Sequence, residues 1–227
     1  MQKYLIVNGD DFGLSHGVNR GILRAHAHGI VTSASLMVNM PASEEACALA
    51  SGAPELSLGL HADLGSVVDL GGVTDWRSAL HRQLERFRSL VGRPPTHLDS
   101  HHDLHRDPRL LPVFEELARQ LDVPLRAGGP IRVVTAFYGQ WGGASHPEQV
   151  GVDTLIHLLA TQVEPGLNEL CCHPGYVDTT LRSSYRLERE IELQTLCHPA
   201  VGEAIVGHGI ELISFRDVKT TLAGGVS

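Results

Sequence analysis

Asn8-Gly9-Asp10-Asp11-Phe12-Gly13 puts two adjacent carboxylates directly after a short apolar run, Tyr4-Leu5-Ile6-Val7. Two carboxylates crowded at a strand end repel one another unless a positive charge lies close by. A bound metal ion is the simplest such charge, while an Asp in a turn can equally cap the next helix. The histidines weigh on that choice. There are 14 in 227 residues, and imidazole is both the commonest metal ligand and the usual acid or base near neutral pH. His26, His28, His81, His157, His198 and His208 fall in helix-like stretches and carry no special signal. The others do. His61 closes Gly59-Leu60-His61, four histidines share the stretch His97–His105 with Asp99 and Asp103, and His173 lies in Cys171-Cys172-His173-Pro174-Gly175.

The elements that would position these groups alternate along the chain. Strand patterns are expected at Tyr4–Val7, Ile30–Val38, Leu56–His61, Thr96–Ser100, Val123–Ala127, Leu167–Cys172 and Ile210–Phe215, with Gly9 and Gly13 forming a turn after the first. Helical patterns fall between them, at Ser15–His28, Asp75–Val91, Pro108–Leu121, Val152–Val163, Arg186–Leu196 and Pro199–Val206, with Ser43 as the N-cap of one more. The clearest is Asp75–Val91, where Trp76, Leu80, Leu84, Phe87 and Val91 recur at helical spacing. Repeated strand-then-helix order implies an α/β fold with parallel strands covered by helices. Seven such units in one domain over residues 1–227 suggest a distorted, seven-stranded (β/α) barrel. The segment 128–151 breaks the rhythm. It is glycine-rich, carries Phe137-Tyr138-Gly139-Gln140-Trp141, and reads as a substrate loop.

On this frame Asp10, Asp11, His61, the His97–His105 cluster and His173 all stand at carboxyl ends of expected strands. That is the edge where parallel α/β folds build their sites. Within strand four, side-chain alternation puts Asp99 and His101 on one face. One histidine of this cluster, His61 and one Asp would make a two-histidine, one-carboxylate centre with open positions for water and substrate. A closed zinc site would call for Cys-x-x-Cys spacing, which Cys47, Cys171, Cys172 and Cys197 lack. They read as free thiols of a cytoplasmic protein.

Composition narrows the partners. A formal charge of −8, no basic run and 5% aromatics argue against nucleic acid. No stretch approaches the roughly 18 apolar residues of a membrane span, and the N-terminus lacks the form of a signal peptide. A homodimer is left open.

The blocks Leu5–Ser15, Gly29–Ser33, Gly59–His61, Thr96–His102 and Cys172–Tyr176 resemble the YdjC-like carbohydrate deacetylases, a family that includes chitooligosaccharide deacetylases and hopanoid-associated HpnK proteins. The similarity runs to Leu212–Arg216, and the Asp-Asp-Phe-Gly and Asp-Ser-His-His blocks are its most specific parts. The resemblance implies a distorted (β/α) barrel and one divalent metal ion, Mg2+ or Zn2+. It also implies Asp11, His61 and His101 as ligands, Asp10 as general base, and an acetylated amino sugar as substrate. Gly9 stands where the family often has Ala, and Asp103 where a third consecutive His is common. The stretch between strands three and four is shorter than in many members.

The expected reaction is hydrolysis of a sugar acetamide with release of acetate. His173 is the candidate general acid, with His105 the runner-up as acid or as a partner orienting a ligand. Arg126 could orient Asp10 or bind substrate, and Tyr138, Trp141 and Tyr176 could stack on a sugar ring. Two rivals remain: a metal hydrolase of another amide, ester or phosphate, and a non-catalytic sugar-binding or metal-sensing member of the same fold. The first lacks a P-loop for phosphate transfer. The second has no use for Asp10 beside a ligand.

Overall fold

β1 (Lys3–Phe12) is the hub of the molecule, in a computed structural model that describes residues 2–65 and 75–224. The family-relative shortening between strands three and four falls partly outside those residues. β2 (Ser33–Leu36), β3 (Ser57–Ala62) and β4 (Leu98–Ser100) follow outward from one edge of β1. β8 (Gly166–Cys172) and β5 (Arg132–Val134) follow from the other, all parallel. β9 (Ile210–Ile213) pairs with Lys3–Ile6 of β1, while β2 takes over from Asn8 onward. Two partners thus share one edge of β1 at different heights, and the sheet curls into an open, distorted barrel.

Helices cover the sheet through apolar faces set by their sequence periodicity. α1 (His16–His28) buries Val18, Ile22 and Ala25, and Ser15 caps it by accepting the Val18 N–H. α2 (Ser43–Ala50) follows β2. α3 (Trp76–Val91) buries Leu80, Leu84 and Phe87 and ends on Gly92 in the left-handed conformation. α4 (Leu111–Leu121), α5 (Val152–Gln162) and α7 (Pro199–Gly207) supply Phe114, Leu117, Leu155, Leu159 and Val201 to the same core. α8 (Val218–Gly224) closes the described chain. α6 (Leu187–Leu196) differs: besides Leu193 and Leu196 in the core it buries Glu188, Arg189 and Glu192, the mark of a helix that also faces a polar site.

Three sequence expectations are corrected. First, β1 does not stop at Val7. Asn8–Phe12 stays in the strand because β8 pairs up to Gly9 and β2 up to Phe12. The turn begins at Gly13, where φ is 100° and a Cβ would lie 2.7 Å from the Met37 carbonyl. Second, the expected strand Val123–Ala127 shrinks to one bridge, Leu98 to Leu125, and the chain leaves the sheet at Ala127 with φ 54°. The next strand, β5, lies inside the segment read as a loop and forms the far edge of the sheet beside β8. That segment also holds a two-residue hairpin, β6 (Gln140–Trp141) with β7 (Ala144–Ser145). Its turn, Gly142-Gly143, has both φ angles positive. Third, Ser43 is the first residue of α2 rather than its cap; its hydroxyl donates to the Met37 and Met40 carbonyls.

Candidate metal and catalytic site

Neighbouring residues of a regular strand point to opposite faces, yet Asp10 and Asp11 both line one cleft of about 650 Å³. The register with β2 shifts between Gly9 and Phe12, and Asp11 adopts φ 66°. This bulge, with a non-glycine residue in the left-handed region, is the local strain that turns the second carboxylate onto the side of the first.

Asp11 divides its two oxygens. Oδ2 takes Arg189 Nη2 at 2.5 Å. Oδ1 is buried without a hydrogen bond and faces His101 Nδ1 at 3.2 Å and His61 Nε2 at 3.5 Å. His61 comes from β3, and its Nδ1 lies 2.8 Å from Asp99 Oδ1 on β4. With its hydrogen on Nδ1, the imidazole turns a lone pair at Nε2 toward Asp11, the carboxylate–histidine arrangement that backs metal ligands. Ligand atoms bonded to one cation at about 2.1 Å sit roughly 3.0–3.4 Å apart. An orphaned oxygen with two imidazole nitrogens at 3.2 and 3.5 Å therefore fits a divalent ion. Burial is the largest influence on Asp11 and opposes its charge, but Arg189, His101, His61 and His173 together outweigh it and hold the carboxyl well below its ordinary range. Burial likewise opposes a charge on His61, but Asp99 and Asp10 outweigh it and raise the metal-free imidazole to about 10. A cation entering here displaces that proton.

Asp10 is held from several directions. Arg126 Nη1 and Nη2 donate to its two oxygens at 2.7 and 2.5 Å, and Asn8 Nδ2 donates at 2.7 Å. Burial is the largest influence on the carboxyl and raises its pKa. Arg126 and His61 reverse that and keep Asp10 below the usual value, so it is ionised at neutral pH. Arg126 also meets Asp99 at 3.0 Å and Glu169 at 2.6 Å. Burial pushes Glu169 up to about 7 against the pull of Arg126. Beneath them Ser35 donates to Asp99 at 2.5 Å and accepts from Asn8 at 2.8 Å, tying Asp10 and Asp99 into one network.

His173 stands on the other side of the Asp pair, at the end of β8. A ring nitrogen of His173 and an oxygen of Asp10 lie within 4.8 Å. Its backbone N–H donates to Glu192 Oε2, while its Nδ1 is buried, unpaired and 4.0 Å from Glu192 Oε1. Tyr185 donates to that Oε1 at 2.5 Å and accepts the Gly139 N–H at 2.9 Å. Burial pushes His173 down to about 4 and Glu192 up to about 7.

The other sequence candidates separate. Tyr138 lines the cleft, stacked on Tyr185 at 4.9 Å and edge-on to His173 at 5.8 Å. Trp141 is not on its walls; it stacks on His146 with centroids 3.7 Å apart. Tyr176 is also elsewhere, beside Arg20 on the outer surface. Arg126 is likewise behind the walls rather than in them. His105 does not face the cleft. It is fully buried, its Nδ1 paired with Ser100 Oγ at 2.9 Å and its ring edge-on to Phe114. The 3₁₀ turn His101–Arg106, with His102 and Asp103 both at positive φ, rotates it inward. That burial removes it from direct proton transfer to substrate. Sequence reasoning missed Arg189, Glu192, Tyr185, Glu169 and the part played by Cys171. Arg186–Leu196 reads as an ordinary charged helix, and only its burial marks Arg189 and Glu192.

With this geometry in view, the comparisons place the chain. It belongs to the YdjC-like family: the model described as YdjC-like protein matches residues 4–206. A carbohydrate deacetylase of Geobacillus stearothermophilus is 38% identical, covering 96% of this chain and 98% of its own. A chitooligosaccharide deacetylase of Serratia marcescens is 35% identical, covering 96% and 100%. Among solved structures, a family 4 carbohydrate esterase from Streptomyces lividans in complex with acetate superposes with a TM-score of 0.60 at 11% identity. It covers 92% of this chain and 91% of its own, a likeness of fold alone. Among the described residues no helix is long and apolar enough to cross a membrane.

Proposed function

We propose that this chain is a metal-dependent hydrolase that removes the acetyl group from an N-acetylated sugar or glycoconjugate and releases acetate. One observation carries the reading: an orphaned Asp11 oxygen between two imidazole nitrogens, with the ionised Asp10 beside it and His173 across it. The names of the Geobacillus and Serratia relatives point to the substrate class.

Asp11, His61 and His101 would hold the ion. When bound, a divalent cation supplies Lewis acidity, lowering the pKa of a water and polarising a carbonyl. Asp10 takes one proton from the attacking water. Its carboxylate is a ready acceptor because Arg126 keeps it ionised, and four converging hydrogen bonds, from Arg126 twice, Asn8 and the Cys171 thiol, hold it in place. The departing nitrogen needs a proton. His173 alone is neutral at pH 7, but Glu192 beside it retains a proton to about 7. Closing the 4.0 Å gap between Glu192 Oε1 and His173 Nδ1 to hydrogen-bond distance makes the two a dyad that shares this one proton, and His173 delivers it. Tyr138 offers an aromatic face to the sugar ring, and the stretch 133–138 with Gln140 forms the substrate wall.

The test is an acetate-release screen with N-acetylglucosamine oligomers, acetylated aminoglycosides and acetylated glycolipids, using chelated protein with Mg2+ or Zn2+ restored. Acetate release that depends on the restored ion is expected. Metal retention with no acetate from any of these sugars overturns the reading and favours a binding protein.

A further inference from the structure

Asp10, Cys171 and His173 form a second set of donors that shares no residue with Asp11, His61 and His101. Cys171 and His173 are two residues apart at the end of β8, so both turn to the cleft. Cys172 between them turns away, its Sγ 3.3 Å from the Asn8 carbonyl. The Cys171 Sγ lies 3.3 Å from Asp10 Oδ2, and a carboxylate oxygen, the sulfur and a ring nitrogen of His173 lie within 4.8 Å of one another. The His173 Nδ1 has no hydrogen-bond partner.

We propose that this triad is a second metal site, selective for a zinc-like cation over magnesium, and that filling it shuts the enzyme down. Selectivity follows from the donors. Oxygen, sulfur and nitrogen together suit a borderline ion such as Zn2+ or Co2+, whereas Mg2+ takes oxygen ligands and keeps its waters. The thiol now points its hydrogen at Asp10. A cation takes that place: the S–H bond breaks, a sulfur–metal bond forms, and the proton leaves to solvent. The new thiolate and Asp10 together balance the two added charges. Inhibition follows because the ion engages the carboxylate assigned to take a proton and the imidazole assigned to give one. The binding claim stands on this geometry; only the inhibition rests on the hydrolase reading above.

Cobalt titration of chelated protein tests it, with bound metal counted after desalting and sulfur-to-cobalt charge-transfer absorption recorded in the near ultraviolet. Two equivalents are expected, with a thiolate band. Cys171→Ser should remove the band and one of the two equivalents. Asp11→Asn should remove the other equivalent and leave the band. Should Cys171→Ser not fold, His173→Gln is read by the same count and should also bind one equivalent. A single equivalent with no thiolate band in the unaltered protein overturns the proposal, as does an undiminished count in Cys171→Ser. In the acetate assay, excess Zn2+ but not excess Mg2+ should inhibit the unaltered protein. For Cys171→Ser the ratio of its own rates with and without excess Zn2+ should approach one. A thiolate band with no acetate release under any metal would sink the deacetylase reading and leave the site standing.

Discussion

The two flanks of the Asp10–Asp11 pair are built on different terms. On the β3–β4 side the groups behind the Asp11 oxygen that faces the two imidazoles are tied to one another. His61 is backed by Asp99, Asp99 by Ser35 and Arg126, and Arg126 by Glu169. On the β8–α6 side the His173 Nδ1 is unpaired, Tyr138 is exposed, and burial inverts the usual order of the two pKa values, lowering His173 and raising Glu192 past it. A metal centre gains from rigidity, because ligands held in advance need no reordering when the ion arrives. A proton donor that must follow a moving nitrogen gains from slack. The lesson is that one strand, β1, separates a preorganised half-site from an adaptable one.

Substitutions can break this comparison, and the largest effects fall on the rigid flank. Asp11→Ala, His61→Ala and His101→Ala should each abolish retention of Mg2+, which the Cys171 site does not take, and with it activity; full Mg2+ content in the His101 variant, read by elemental analysis, would reassign that ligand. Asp10→Asn should keep the metal and lose acetate release by about 10²–10⁴-fold, the usual worth of a general base; an active variant would remove Asp10 from that role. Asp99→Asn touches no substrate, yet loses the anion behind His61. It should weaken metal binding by about 10–100-fold, measured by competition with a chelator.

The adaptable flank should respond through pH. Burial raises the Glu192 carboxyl from the ordinary 4.5 to about 7. The dyad's proton is therefore present below that value and lost as pH rises through it, so kcat should fall on the alkaline side with a limb near 7. Glu192→Gln should move or erase the limb; an unchanged profile would separate Glu192 from the proton. The smallest effect is expected for Tyr185→Phe. It leaves the Glu192 oxygen and the Gly139 N–H short of a partner, costing about 1–3 kcal/mol in thermal unfolding, with metal content unchanged.

Much of the site was legible because its residues obey a simple rule. Asp11, His61, His101 and His173 stand where strands end, and in a parallel α/β fold strand ends converge. Asp99 was legible as the face-mate of His101, though not as the anion behind His61. Legibility failed where long-range partners override local pattern. Arg126 was legible as a possible partner of Asp10 but not as the residue that also ties Asp99 and Glu169 together. Trp141 and Tyr176 read as sugar platforms because an aromatic in a glycine-rich stretch carries no sign of which way it faces. His105 shares the motif of His101 and is turned inward by two residues at positive φ.

By itself the sequence determined the alternation of strands and helices, the parallel sheet and the list of metal-binding residue types, since these follow from apolar periodicity and side-chain chemistry. Tertiary structure alone decided that both aspartates reach one cleft and which arginine holds each. A regular strand would send Asp10 and Asp11 to opposite faces. Pairing of β1 with β8 on one side and β2 on the other forces the bulge that brings both into the cleft. Arg126 then claims one carboxylate and Arg189 claims half of the other. Those contacts join residues 116 and 178 positions apart, a separation that local sequence pattern does not span.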